Sequence, residues 1–144
     1  MSILLPTRKV FESVALHASA AETASGTSAA VKLPIEFRAV AFEFDLTAAA
    51  AAAGDTLDVV IQTKSDQSNW LDVVHFTQAL GNGGAKRYVA AISAGVNQAV
   101  VETIGTALTA GNVRNIWGDE WRASWTIVNS SNPSFTFSVW ACTQ

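Results

Sequence analysis

A chain of 144 residues fits one domain, compact to a radius of gyration of roughly 15 Å and able to bury one hydrophobic core without staples. The formal charge is −3 and the charged fraction 15%, which excludes a nucleic-acid footprint and a polybasic membrane anchor. The single cysteine, Cys142, excludes an intramolecular disulfide and reads as a small buried thiol, with a bond between copies as the alternative.

Hydrophobic residues make up 49% of the chain, but much of that is alanine, and the polar remainder is rich in Ser, Thr, Asn and Gln. A surface so poor in mixed charge suits a subunit that lives in an assembly. The amino-terminal MSILLPTRK has an apolar run too short for a signal peptide or a membrane span, with its charges after the run. Residues 1–9 are therefore expected to be an extended arm of a soluble protein made in the cytoplasm.

Lys9 to His17 is a first strand candidate of imperfect alternation, and Ala18 to Ala30 (ASAAETASGTSAA) reads as a loop or arm with nothing large to anchor it. In Ile35 to Leu46 the apolar parity changes, from Ile35 and Phe37 to Phe42, Phe44 and Leu46. One strand face cannot bury both sets, so a β-bulge near Ala39 to Ala41 is expected. Thr47 to Ala53 (TAAAAAA) followed by Gly54 reads as a short Ala-rich helix with a cap and a terminator.

Thr56 to Gln78 (TLDVVIQTKSDQSNWLDVVHFTQ) carries two alternating segments and reads as a β-hairpin, with Leu57, Val59, Ile61, Trp70, Val74 and Phe76 as core. No Asn-Gly lies between Lys64 and Asn69, so a longer exposed loop joins the two. The cluster Gly81-Asn82-Gly83-Gly84 lacks the spacing and the Gly-Lys-Ser/Thr ending of a phosphate loop and reads as a turn into a strand at Arg87 to Ile92. A short strand around Val100 to Thr103 follows.

Glu120 to Asn129 places Trp121, Ala123, Trp125 and Ile127 on one face, and Ser134 to Ala141 does the same with Phe135, Phe137 and Val139. Across the turn Ser130 to Pro133 they read as a second hairpin. The sum is one all-β domain over residues 1–144, an antiparallel β-sandwich or jelly-roll-like fold of about eight strands with one short Ala-rich helix.

Chemistry-bearing residues are sparse. His17 and His75 have no Cys or His at metal-ligand spacing, and Asp55, Asp58, Asp66, Asn69 and Asp72 lack the order of a calcium loop. Asp119 and Glu120 with Glu102 could be imagined as paired carboxylates but read equally as strand-end charges. The serines sit in no GxSxG elbow. No enzyme activity, metal, cofactor or small-molecule substrate is expected.

Among the five tryptophans, Trp121 and Trp125 belong to the core by alternation. Trp117, in NIWGDEW, and Trp140, of opposite parity to its apolar neighbours, are exceptions that suit an anchor buried by another subunit better than a sugar-stacking platform. Lys86 and Arg87, an adjacent basic pair, complete the candidate contact residues.

Thr56 to Gln78 together with a terminal strand pair ending NPSFTFSVWA resembles small β-sandwich structural proteins of tailed double-stranded DNA phages, capsid decoration or cement proteins above all. The resemblance covers about a third of the chain and transfers no individual residue role. It implies a non-enzymatic subunit on the virion surface, with the major capsid protein and copies of itself as partners and no nucleic acid or membrane. A tail or head-to-tail connector protein and a carbohydrate-binding β-sandwich module are the alternatives.

Overall fold

Alternating burial, rather than local propensity, decides the elements of this chain. The computed structural model describes residues 12–33, 38–50, 52–64, 69–96, 100 and 107–144. Among them are ten strands: β1 (Glu12–Glu22), β2 (Gly26–Thr27), β3 (Ala39–Ala50), β4 (Thr56–Lys64), β5 (Leu71–His75), β6 (Ala79–Leu80), β7 (Lys86–Ser93), β8 (Asn112–Val113), β9 (Glu120–Val128) and β10 (Ser134–Thr143). They form two antiparallel sheets. The first runs β1-β10-β3-β7; the second runs β2-β9-β4-β5-β8, with β6 also paired to β4.

The inner faces of the two sheets share one core. Phe42, Phe44 and Leu46 of β3 and Phe135, Phe137 and Val139 of β10 meet Leu57, Val59 and Ile61 of β4 and Trp121, Ala123 and Trp125 of β9. Aromatic contacts cross from sheet to sheet, Phe42 to Trp121 at 5.5 Å and Phe137 edge-on to Trp125 at 5.6 Å. Each large buried aliphatic or phenylalanine side chain among these contributes about 1.5–3 kcal/mol of transfer free energy, so the fold is all-β and sandwich-like because this alternation leaves no other way to hide both sets.

The hairpin at Thr56 to Gln78 forms as β4 and β5, but Trp70 is not in its core. Ile61 pairs with Val74 and Gln62 with Asp72, so Val73 is an extra residue on β5. Both Val73 and Val74 are buried. That bulge reverses the facing of everything before it, and Trp70 lies on the outer face, with the guanidinium of Arg122 4.2 Å from its ring centre.

The second expected hairpin does not exist as a pair. β9 hydrogen-bonds to β2 and β4, and β10 to β1 and β3, in the other sheet. Two strands facing each other across a core alternate in the same way as two neighbours in a sheet, so the pattern could not separate these cases. Ser130 to Pro133 carries the chain between the sheets, and buried Asp55 holds it there. The Asp55 carboxylate accepts from the backbone N–H groups of Ser130 (2.6 Å), Ser131 (3.2 Å) and Ala52 (2.7 Å) and from both serine hydroxyls.

The Ala-rich helix is also overturned. Thr47 to Ala50 extend β3, with Ala48, Ala49 and Ala50 opposite Thr136, Phe135 and Ser134. A run this short cannot meet the cost of helix nucleation, whereas the neighbouring strand supplies ready partners, and tertiary pairing overrides propensity. Thr47 itself is skipped in the register.

Nor does β3 bulge at Ala39 to Ala41: Ala39, Val40 and Ala41 pair in unbroken register with Ser93, Ile92 and Ala91. Ile35 and Phe37, whose parity prompted that expectation, lie outside the described residues, as do the arm at 1–9, most of the Lys64 to Asn69 loop, and 101–106 with the strand expected near Val100.

Ala18 to Ala30 is not a free loop. Its first half completes β1, and from Ser25 onward it laces the open edge of β9. Gly26 and Thr27 pair with Trp125 and Ser124, and Val31 exchanges backbone bonds with Trp121. Two hydroxyls stand in for backbone groups: Ser25 Oγ accepts from Ile127 N at 2.8 Å and Ser28 Oγ from Ala123 N at 2.9 Å. Gly26 permits the approach, because a Cβ there would stand 2.9 Å from the Trp125 ring.

Candidate functional site

The two outer faces of the molecule differ in chemistry. On the second sheet the side chains are engaged with one another. Arg122 Nε donates to Gln62 Oε1 at 2.9 Å, and Gln62 Nε2 to Asp72 Oδ1 at 2.9 Å. Asp72 Oδ2 accepts from Leu108 N at 3.1 Å, while His75 contacts Leu108 O through Nδ1 at 2.6 Å and Asp58 through Nε2 at 3.1 Å. Both backbone groups of Leu108 are thus clasped; of the carboxylates first considered as calcium ligands, Asp58 and Asp72 serve this network and Asp55 its own clasp, while Asp66 lies outside the described residues. Among the described residues no three His, Cys, Asp or Glu side chains group as a metal site.

The outer face of the first sheet is small, apolar and open. Register places Ala15, Trp140, Glu43 and Val89 in one row across β1, β10, β3 and β7, and Ser13, Cys142, Ala41 and Ala91 in the next. Trp140 is 40% exposed and Val89 63%. Small neighbours leave a shallow groove of about 400 Å³ beside the indole, lined by Ser13, Ala41, Glu43, Val89, Trp140 and Cys142. Cys142 is half-buried in this surface and not a core thiol, because Ala141 and Thr143 take the inward positions of β10.

Charge on this face is gathered around Arg87. Arg87 Nη2 lies 3.1 Å from Asp45 Oδ2 and its Nε 3.3 Å from Glu43 Oε1. The hydrogen bond to Asp45, then the charges of Asp45 and Glu43, raise the Arg87 pKa above the ordinary guanidinium value. The centre of the face carries no ionic group that a partner would have to desolvate apart from Glu43, already paired.

Of the four candidate contact residues, the fold brings Trp140 and Arg87 onto this face and sets Lys86 exposed at its rim, at the start of β7. Trp117 lies elsewhere. It is half-buried against the core, edge-on to Trp121 at 6.3 Å, and its indole N–H donates to Asn115 Oδ1 at 2.8 Å. Sequence reasoning missed Val89, Ala41, Ser13 and Glu43, whose only signal is parity on strands that become neighbours in the fold. No family model matches the chain, and no curated protein matches it.

Proposed function

We propose that this chain is a non-enzymatic virion structural protein, a capsid decoration subunit of β-sandwich form that binds the outer surface of the major capsid lattice and stabilises it. The observation that carries the reading is the apolar outer face of the first sheet, centred on Trp140, on a molecule whose opposite face is cross-linked by its own polar side chains. A flat aromatic-centred surface of small residues is suited to burial against another protein. Many symmetric copies of a weak contact hold through avidity, and the low surface charge fits a subunit that spends its life packed among others.

The test measures occupancy on capsid lattices assembled without the chain. Trp140→Ala is expected to lower occupancy by about tenfold or more, equivalent to about 1.4 kcal/mol per site, while Thr126→Lys, an exposed position on the opposite face, leaves it unchanged. Both variants should keep the melting temperature of the isolated protein within a few degrees. Undiminished occupancy for Trp140→Ala sinks the reading, and ring-sized oligomers in solution would move it to a tail or connector protein.

A second reading rests on the groove itself: an exposed indole beside Glu43 and Ser13 is also a surface on which a sugar ring can stack. A glycan array without response removes it.

A further inference from the structure

We infer that β7 is a self-pairing edge, through which two copies of this chain join their first sheets into one continuous antiparallel sheet. This does not depend on which assembly the protein enters.

An edge strand presents unpaired backbone N–H and C=O groups, and soluble proteins blunt such edges with bulges, charges, prolines or short length. The other edges here are blunted. β1 breaks register twice, between Ala15 and His17 and between His17 and Ala20, and β2 and β8, at the ends of the second sheet, are two residues each. β7 is eight residues long, pairs in unbroken register with β3, and has no other strand partner among the described residues. It holds neither proline nor glycine.

The direction of its backbone groups follows from one bond. Ala94 N donates to Arg38 O, so the even-numbered residues of β7 bond inward to β3, and Arg87, Val89 and Ala91 point their N–H and C=O outward. Ser93 O, of the same set, already accepts from Asn115 Nδ2 at 3.0 Å, which closes that end and leaves a run centred on Val89. A cleft of about 370 Å³ lies beside this strand, lined in part by His75, Tyr88, Val89 and Val113.

A second copy fits this edge for two reasons. Antiparallel pairing about a two-fold axis at Val89 sets Val89 against the partner's Val89 and Arg87 against the partner's Ala91, which uses every outward group and keeps the two basic ends apart. Arg87, the one charge on the central run, is neutralised by Asp45 and Glu43 within its own sheet, so it does not guard the edge. Such an isologous contact closes as a dimer and does not propagate, and it continues the Trp140–Val89 row across the junction.

Sedimentation of the purified protein at micromolar concentration should show a dimer. Val89→Pro removes an outward N–H and no β3 bond, a substitution an edge strand tolerates; Val89→Lys sets two ammonium groups face to face. Each should give a monomer with unchanged circular dichroism. If Val89→Pro fails to fold, Val89→Lys decides alone.

Mild oxidation supplies a positive test of the register. In a Cys142→Ser background, Val89→Cys should crosslink, since directly opposed hydrogen-bonded residues stand about 5.5 Å apart between Cα atoms, within disulfide reach. Ala91→Cys should not, being displaced from its own copy by roughly 14 Å along the strand. A monomeric wild type, a dimer that survives Val89→Lys, or equal crosslinking at both positions overturns the inference. So does a dimer broken by Trp140→Ala alone, which would place self-association on the face instead of the edge.

Discussion

His17 shows how one misplaced residue creates a titrating liability. The β1 irregularity turns it inward, between Trp125 at 4.6 Å and Phe137 at 4.7 Å. Its Nε2 is buried without a hydrogen bond and lies 3.4 Å from Glu22 Oε1. Burial lowers the His17 pKa, and the Glu22 charge only partly opposes this. The unfolded chain, with a histidine pKa of about 6.5, therefore binds this proton more readily than the folded one. The contribution is complete above that pH and is lost as pH falls below it. The urea midpoint of the wild type should fall between about pH 7 and pH 5, and His17→Phe, which keeps the ring contacts, should flatten that slope. Asp55 acts lower on the scale. Hydrogen bonds led by Ser130 N hold its carboxyl well below the usual range against the opposing effect of burial, so its stabilisation is present above about pH 4 and disappears as pH falls beneath it. Asp55→Asn turns an amide N–H₂ toward donors that need an acceptor. It should lower the melting temperature at neutral pH and lose the acid-dependent part of the decline, as a thermal scan against pH would read.

At the level of elements, what protects the β9 edge is a segment with almost no apolar content. Ser25 and Ser28 satisfy backbone groups of Ile127 and Ala123 that would otherwise face water. Replacing both with alanine should cost about 1 kcal/mol for each bond, and amide exchange should accelerate at Ala123 and Ile127 while Val59 and Phe44 stay protected; uniform exchange would assign the segment no local role. The same segment marks the limit of what the sequence discloses. Strands such as β4, β9 and β10 are legible because Leu57, Trp121 and Phe135 each open a clean alternation with one buried side. The pairing of those strands is not, since facing and neighbouring strands alternate alike. Single-residue phase changes at Val73 and at Thr47 are also silent in composition; the first moved Trp70 out of the core, while pairing with β10 drew the alanine run into strand. The candidate face was half legible: Trp140 stood out by parity, but Val89 and Ala41 become its neighbours only once β7, β3 and β10 lie side by side. Trp117, singled out by its place in the loop NIWGDEW, packs inward.

For the molecule as a whole, the order of strands decides how it unfolds. The chain passes from the first sheet to the second between β1 and β2, back between β2 and β3, and across again between β3 and β4, β6 and β7, β7 and β8, and β9 and β10. Neither sheet is built from one continuous stretch. β10, the last strand, lies between β1 and β3, and its Phe137 touches Phe44 of its own sheet at 5.7 Å and Trp125 of the other at 5.6 Å. One sheet cannot melt while the other persists, because each owes its strand neighbours to segments anchored across the core. In a Trp140→Phe background the remaining tryptophans, Trp121 and Trp125 of β9 among them, report on the second sheet, and backbone circular dichroism on both. The two signals should follow one superimposable urea transition, the signature of a two-state domain. Refolding should take milliseconds to seconds, as expected where non-local pairing dominates. A tryptophan transition separated from the backbone transition would show that the sheets are independent units, and would remove the argument that the core shared by β3, β4, β9 and β10 is what makes them one.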